Sequence, residues 1–140
     1  MSPVVFAMTA TIAALGVATV VGVAVNRRSG VLRETGSEPA TATPDLGLSD
    51  ARPTVVHFSA DWCGPCASVR RVVDQVCADL PGVAHVEIDI DANPVAAKQL
   101  SVLSLPTTFI FDAGGRQQYR ATGVPKADDL RSALTPLLAS

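Results

Sequence analysis

The stretch "ADWCGPCASVRRV", residues 60–72, sets two cysteines two residues apart where an apolar run gives way to a helical pattern. Upstream, Thr54 to Ser59 (TVVHFS) is short and rich in β-branched and aromatic residues, the signature of a strand. Downstream, Val69, Val73, Val76, Cys77 and Leu80 fall on one stripe at helical spacing, so Cys63 to Leu80 reads as an amphipathic helix. A cysteine pair at such a junction can clamp a metal, staple the chain, or trade electrons with other thiols.

Working outward, Ala84 to Ile90 (AHVEIDI) reads as a second strand and Asn93 to Leu100 as a short helix opened by Asn93-Pro94. Thr107 to Phe111 (TTFIF) is a third strand, Gly114-Gly115 a turn, Arg116 to Ala121 (RQQYRA) an edge-like strand, and Lys126 to Leu138 a closing helix. The order βαβαββα predicts an α/β domain with a mixed central sheet and helices on both faces. It begins at residue 52. Residues 26 to 51 mix Ser, Thr, Pro, Gly and charge with little to bury, and read as a flexible linker.

Val4 to Val25 is 22 residues without a charge. At 1.5 Å per residue that is about 33 Å of helix, enough for the hydrocarbon core of a bilayer. A cleavable signal peptide is the competing reading. Against it stand the length of the run, the absence of Lys or Arg before it, and the lack of a clean A-x-A site after it. The expectation is a single-pass membrane helix over residues 1–25. Arg27, Arg28 and Arg33 follow it, so the positive-inside rule puts the rest of the chain in the cytoplasm. The net charge of -2 gives no basic excess for nucleic acid.

A structural zinc site needs four ligands, and beyond the pair this domain offers only Cys77, His57 and His85. No metal or cofactor is expected. A permanent staple closing four residues removes little unfolded-chain entropy. Cys77 shares the apolar stripe and reads as a core thiol, with a regulatory role as the alternative.

Trp62-Cys63-Gly64-Pro65-Cys66 on a strand-to-helix turn, with Leu105-Pro106-Thr107 forty residues further on before a β-hairpin, resembles the thioredoxin family over residues 52–140. The resemblance implies a thioredoxin fold, here with the first strand and helix reduced or absent. It implies a protein-disulfide reductase cycling between dithiol and Cys63–Cys66 disulfide. Cys63 is then the attacking thiolate, its pKa lowered at a helix N-terminus, and Cys66, one turn in, resolves the mixed disulfide. Gly64 permits the turn, Pro65 starts the helix without an N–H, and Trp62 shields the pair. Leu105, cis-Pro106 and Gly123 form the substrate groove by resemblance. Partners implied are disulfide-containing proteins and a thioredoxin reductase or a membrane electron donor. Alternatives are an extracytoplasmic reductant for cysteine or cytochrome maturation, or a redox-silent binding module.

One departure stands out. The family commonly has a buried Asp six residues before the first cysteine and a Lys on the next strand; this chain has His57 and Glu87 there. Either both sites tolerate any polar pair, or neutral His57 takes the proton of Cys66 while Glu87 orients the imidazole and stabilises its charged form. His85 shares strand parity with Glu87 and reads as structural or solvated.

Overall fold

The computed structural model describes residues 2–36, 45–49 and 51–140. Its elements are α1 (Pro3–Arg28), β1 (Arg33–Glu34), β2 (Thr54–Ser59), α2 (Cys66–Asp79), β3 (Ala84–Asp89), α3 (Pro94–Gln99), β4 (Thr107–Phe111), β5 (Gln117–Thr122) and α4 (Ala127–Leu138). The strands form one sheet in the order β1-β5-β4-β2-β3. Only β2 and β3 run parallel, as the intervening α2 crossover requires; the other pairs are antiparallel. The sheet is mixed, as expected.

All six residues of β2 are buried, because it is hydrogen-bonded on both edges and covered on both faces. Period-two alternation sorts its side chains. Val55 packs with Val69, Val73 and Val76 of α2 and Leu130 and Leu134 of α4. Val56 and Phe58 point the other way, into a cluster with Ile88, Ala97, Phe109 and Phe111. His57 therefore takes the parity of Val55 and faces α2, between cross-strand partners Glu87 and Thr108.

Three element boundaries differ from the sequence reading. Helix α2 begins at Cys66 rather than Cys63: Pro65, with φ -65° and ψ -18°, is its N-cap and its carbonyl accepts from the Ser68 and Val69 amides. Arg116 to Ala121 is not an edge, since β1 pairs with β5 through Arg33↔Arg120 and Glu34↔Tyr119. The segment read as linker is also partly docked. Besides β1, Leu46 is 4% exposed and sits against the Phe58 and Phe109 cluster, a contribution that its Pro- and Thr-rich surroundings hide. Residues 37–44 and 50 of that reading lie outside the described residues.

Docking of the segment after α1 depends on two glycines. The Gly30 amide donates to the Thr122 carbonyl, and Gly30 has φ +79°. A Cβ there would strike the Val124 carbonyl oxygen, while one on Gly123 (φ +86°) would strike Ser29 Oγ. Such close approach at positive φ is open to glycine alone. Helix α1 carries a mean hydropathy of 2.2 and buries no residue. It is one helix long and apolar enough to cross a membrane, and a signal sequence has the same character.

A Gly30→Val change is expected to detach β1. In hydrogen exchange, the Thr35 amide, which donates to the Gln118 carbonyl, should lose protection. Amides within the β2–β4 ladder should keep theirs.

Candidate functional site

Cys63 and Cys66 are joined as a disulfide, with sulfurs 2.14 Å and Cα atoms 5.5 Å apart. The turn that presents them is held by the Cys63 amide donating to the Ala60 carbonyl. Exposure divides the pair. Cys63 is partly exposed, whereas Cys66, the first residue of α2, is 2% exposed with Sγ 3.9 Å from the Phe58 carbonyl oxygen. An incoming sulfur can reach Cys63 and not Cys66. Gly64 does not carry the turn: its φ is not positive and a Cβ on it would meet nothing within 4 Å.

Behind the pair opens a polar cavity of about 450 Å³, lined by Ser59, Asp61, Cys63, Cys66, Arg70, Glu87 and Asp89, with Ala60 and Ala67. Trp62 is not among its lining residues. Its indole is 70% exposed, donates to Asp91 Oδ2 at 3.0 Å, and lines a separate groove of about 600 Å³ with Ile90, Pro94, Val102 and the 94% exposed Leu103. The Leu105–Pro106 bond is cis, and the Gly123 amide donates to the Pro106 carbonyl, so the two loops expected to form the substrate groove are adjacent.

Glu87 is the charged wall of the cavity. Arg70 Nε donates to its Oε2 at 2.7 Å, a second Arg70 nitrogen and the Ser59 hydroxyl bind Oε1, the latter at 2.8 Å. The Arg70 bonds hold the Glu87 carboxyl down at about 2; burial opposes them and Ser59 assists. Arg70 was missed in the sequence, although it lies one turn after Cys66 on the same helical face.

His57 is fully buried. Its Nε2 is 3.6 Å from Glu87 Oε1, too long for a hydrogen bond, and has no partner; its Nδ1 is 2.8 Å from His85 Nε2. Burial, followed by the neighbouring His85, lowers the His57 imidazole to about 4, with Glu87 opposing. His57 is thus neutral at pH 7. It is not among the residues lining the cavity, whereas Glu87, 3.6 Å from its Nε2, is. His85, read as structural or solvated, is hydrogen-bonded to His57 and Asp74. The free thiol of Cys77 is half-buried, and burial, then Asp74, pushes its pKa up.

A partly exposed sulfur bonded to a buried one at the start of a helix, beside a polar cavity, defines a thiol–disulfide oxidoreductase site. The thioredoxin family model matches residues 44–136. A thioredoxin of Chlamydia trachomatis is 38% identical over 76 residues, covering 54% of this chain and 74% of that protein. A thioredoxin of Mycolicibacterium smegmatis is 40% identical over 70 residues, covering 48% and 62%. A mutant thioredoxin from Halobacterium salinarum superposes with a TM-score of 0.59 at 32% identity, covering 67% of this chain and 80% of its own. The chain belongs to the thioredoxin family, and its chemistry is disulfide reduction by dithiol exchange.

The site makes stability pH-dependent. Unfolded, His57 binds a proton near its ordinary value of 6.5; folded, it does so only near 4. The unfolded state therefore holds more protons in that window, and stability falls as pH drops through it. Between pH 7 and pH 5 the loss should be about 2 kcal/mol by denaturant unfolding. Glu87 extends the loss from 4.5 toward 2 with the same sign. A His57→Leu variant should lose the upper part of this slope.

Proposed function

We propose that this chain is a membrane-tethered thioredoxin that reduces disulfides of protein substrates, laid out as an anchor over residues 1–25, a tether over 26–51 and a redox domain over 52–140. The observation that carries the reading is the unequal exposure of Cys63 and Cys66 beside a cavity walled by Glu87. Cys63 thiolate attacks a substrate disulfide and expels one thiolate, leaving a mixed disulfide. Cys66 then loses its proton and attacks Cys63 Sγ, which closes the internal disulfide and expels the second thiolate. Two electrons pass to the substrate, and the proton of Cys66 is returned to a released thiolate.

His57 Nε2, which faces the cavity-lining Glu87 at 3.6 Å, accepts that proton, and the Glu87 carboxylate stabilises the imidazolium that forms. Trp62, Gly64 and Pro65 shape the active-site loop, and Leu105, Pro106 and Gly123 the groove for an extended substrate segment. A thioredoxin reductase is the electron donor this reading favours; a bifunctional thioredoxin reductase/thioredoxin of Mycobacterium leprae is 37% identical over 68 residues. Arg27 and Arg28 in the last turn of α1, with Arg33 beyond it, favour a cytoplasmic domain. Ser29 and Gly30 abut Gly123 and Val124, so a membrane-spanning α1 would hold the groove close to the bilayer surface. An outward-facing domain behind a signal sequence is the second reading, since α1 has the character of either.

Cys63→Ser should abolish disulfide reduction, whereas Cys66→Ser should accumulate mixed disulfides on Cys63; equal alkylation rates of both thiols in the reduced protein would sink the assignment. His57→Ala should slow resolution of a Cys63–glutathione mixed disulfide about tenfold to a hundredfold, with Cys63 attack little changed, in rapid-mixing measurements from pH 6 to 8. Glu87→Gln should show a smaller defect of the same kind.

After an alkaline wash the full-length protein should stay in the membrane fraction. A processed form lacking the first 25 or so residues would favour the outward-facing reading, and reporters fused at each end distinguish the sides.

A further inference from the structure

His57 is not an isolated buried imidazole. Its Nδ1 lies 2.8 Å from His85 Nε2, and His85 Nδ1 lies 3.1 Å from Asp74 Oδ1 on α2. The two ring planes are inclined by only 23° with centroids 4.9 Å apart, while the facing nitrogens are far closer, so the rings meet edge to edge through those nitrogens. The line runs from Asp74, whose side chain is 62% exposed, through His85 to fully buried His57.

Donor and acceptor bookkeeping assigns every proton along it. An ionised carboxylate only accepts, so His85 Nδ1 carries the hydrogen that Asp74 receives. Neutral His85 then has a bare Nε2, which can only accept, and His57 must donate from Nδ1. His57 is left with its lone pair on Nε2, the atom that lacks a hydrogen-bond partner and faces Glu87 at 3.6 Å. A carboxylate cannot donate to it, and the Ser59 hydroxyl and the Nε and Nη2 of Arg70 donate to Glu87 instead.

From this we infer that Asp74 and His85 are positioning residues for the resolving step: they hold His57 with hydrogen on Nδ1, so that the unprotonated Nε2, the base, faces Glu87 at the wall of the Cys66 cavity. The inference rests on the base role given to His57 above and adds what selects its tautomer. When Cys66 gives up its proton, His57 Nε2 takes it and His57 becomes an imidazolium hydrogen-bonded to His85 on one side and facing Glu87 on the other. When the second substrate thiolate is expelled, Nε2 passes the proton on to it, and the original tautomer is restored as the internal disulfide closes. The charged and titratable groups facing His57 are Glu87 and His85 from β3 and Arg70 and Asp74, through its partners, from α2; β4 contributes only the neutral Thr108.

The test uses reduced full-length protein in detergent micelles. Nitrogen-15 spectra at pH 8 should show His57 protonated at Nδ1 and bare at Nε2. His85→Leu should scramble this tautomer and slow resolution of the Cys63–glutathione disulfide on the order of tenfold. His85→Gln, whose amide accepts from His57 and donates to Asp74, should restore the tautomer and most of the rate. Surface Asp74→Ala should give a smaller slowing, about threefold. Wild-type His57 carrying its hydrogen on Nε2 at pH 8 overturns the inference alone, as does wild-type resolution in His85→Leu when His57→Ala is slow. Wild-type resolution in His57→Ala overturns the base role itself, and this inference with it.

Discussion

The redox site depends on the burial of β2 at the centre of the sheet. A strand bonded to β3 on one edge and β4 on the other has its backbone groups satisfied and cannot slip by one residue without sending Val56 and Phe58 out of their apolar cluster. That fixed register does two things at once. It delivers the chain at Ala60 to the turn that carries Cys63 and Cys66, and it points His57 at α2, opposite Glu87 and diagonal to His85. The cysteine pair is local chemistry mounted on a non-local constraint.

The exchange of charge types around the site follows from the same geometry. A buried carboxylate at position 57 would need a cation nearby, whereas a buried neutral imidazole needs only a donor or an acceptor on each nitrogen. With His57 in place, the neighbouring position on β3 is free to hold an anion, and Arg70 of α2 keeps Glu87 ionised. Two charges are thus paired at the cavity wall while the deeper position stays neutral. Burying a lone charge in the sheet would cost far more than this arrangement, in which the charged groups retain contact with a polar cavity.

The surface that meets a substrate is divided by polarity. Ser59, Asp61, Arg70, Glu87 and Asp89 make the cavity on one side of the cysteines polar, and Trp62, Ile90, Pro94, Val102 and Leu103 make the groove on the other side apolar. An apolar groove with exposed Trp62 and Leu103 can bury a substrate side chain. The Trp62–Asp91 hydrogen bond ties the exposed indole to the loop before α3 and limits its rotamers.

Much of this was readable in the chain alone, because the signals are local. The β-branched and aromatic run of TVVHFS, the helical stripe from Val69 to Leu80 and the Gly-Gly hairpin specify elements through composition, periodicity and turn chemistry, and the Trp62–Cys66 motif with Pro106 points to the reaction through family resemblance. The run from Val4 to Val25 announces an apolar helix by composition. What the sequence could not show are contacts made across the fold. Pairing of Arg33 and Glu34 with β5 joins residues more than eighty positions apart, and burial of Leu46 needs the Phe58 and Phe109 cluster to receive it. The Asp74–His85–His57 line joins a helix to two strands, so no spacing rule contains it. Local propensity determines which elements form and which residue types meet the substrate. The proton inventory of the site was decided only by tertiary structure, because a histidine's tautomer is set by whatever neighbours the folded chain brings to its two nitrogens.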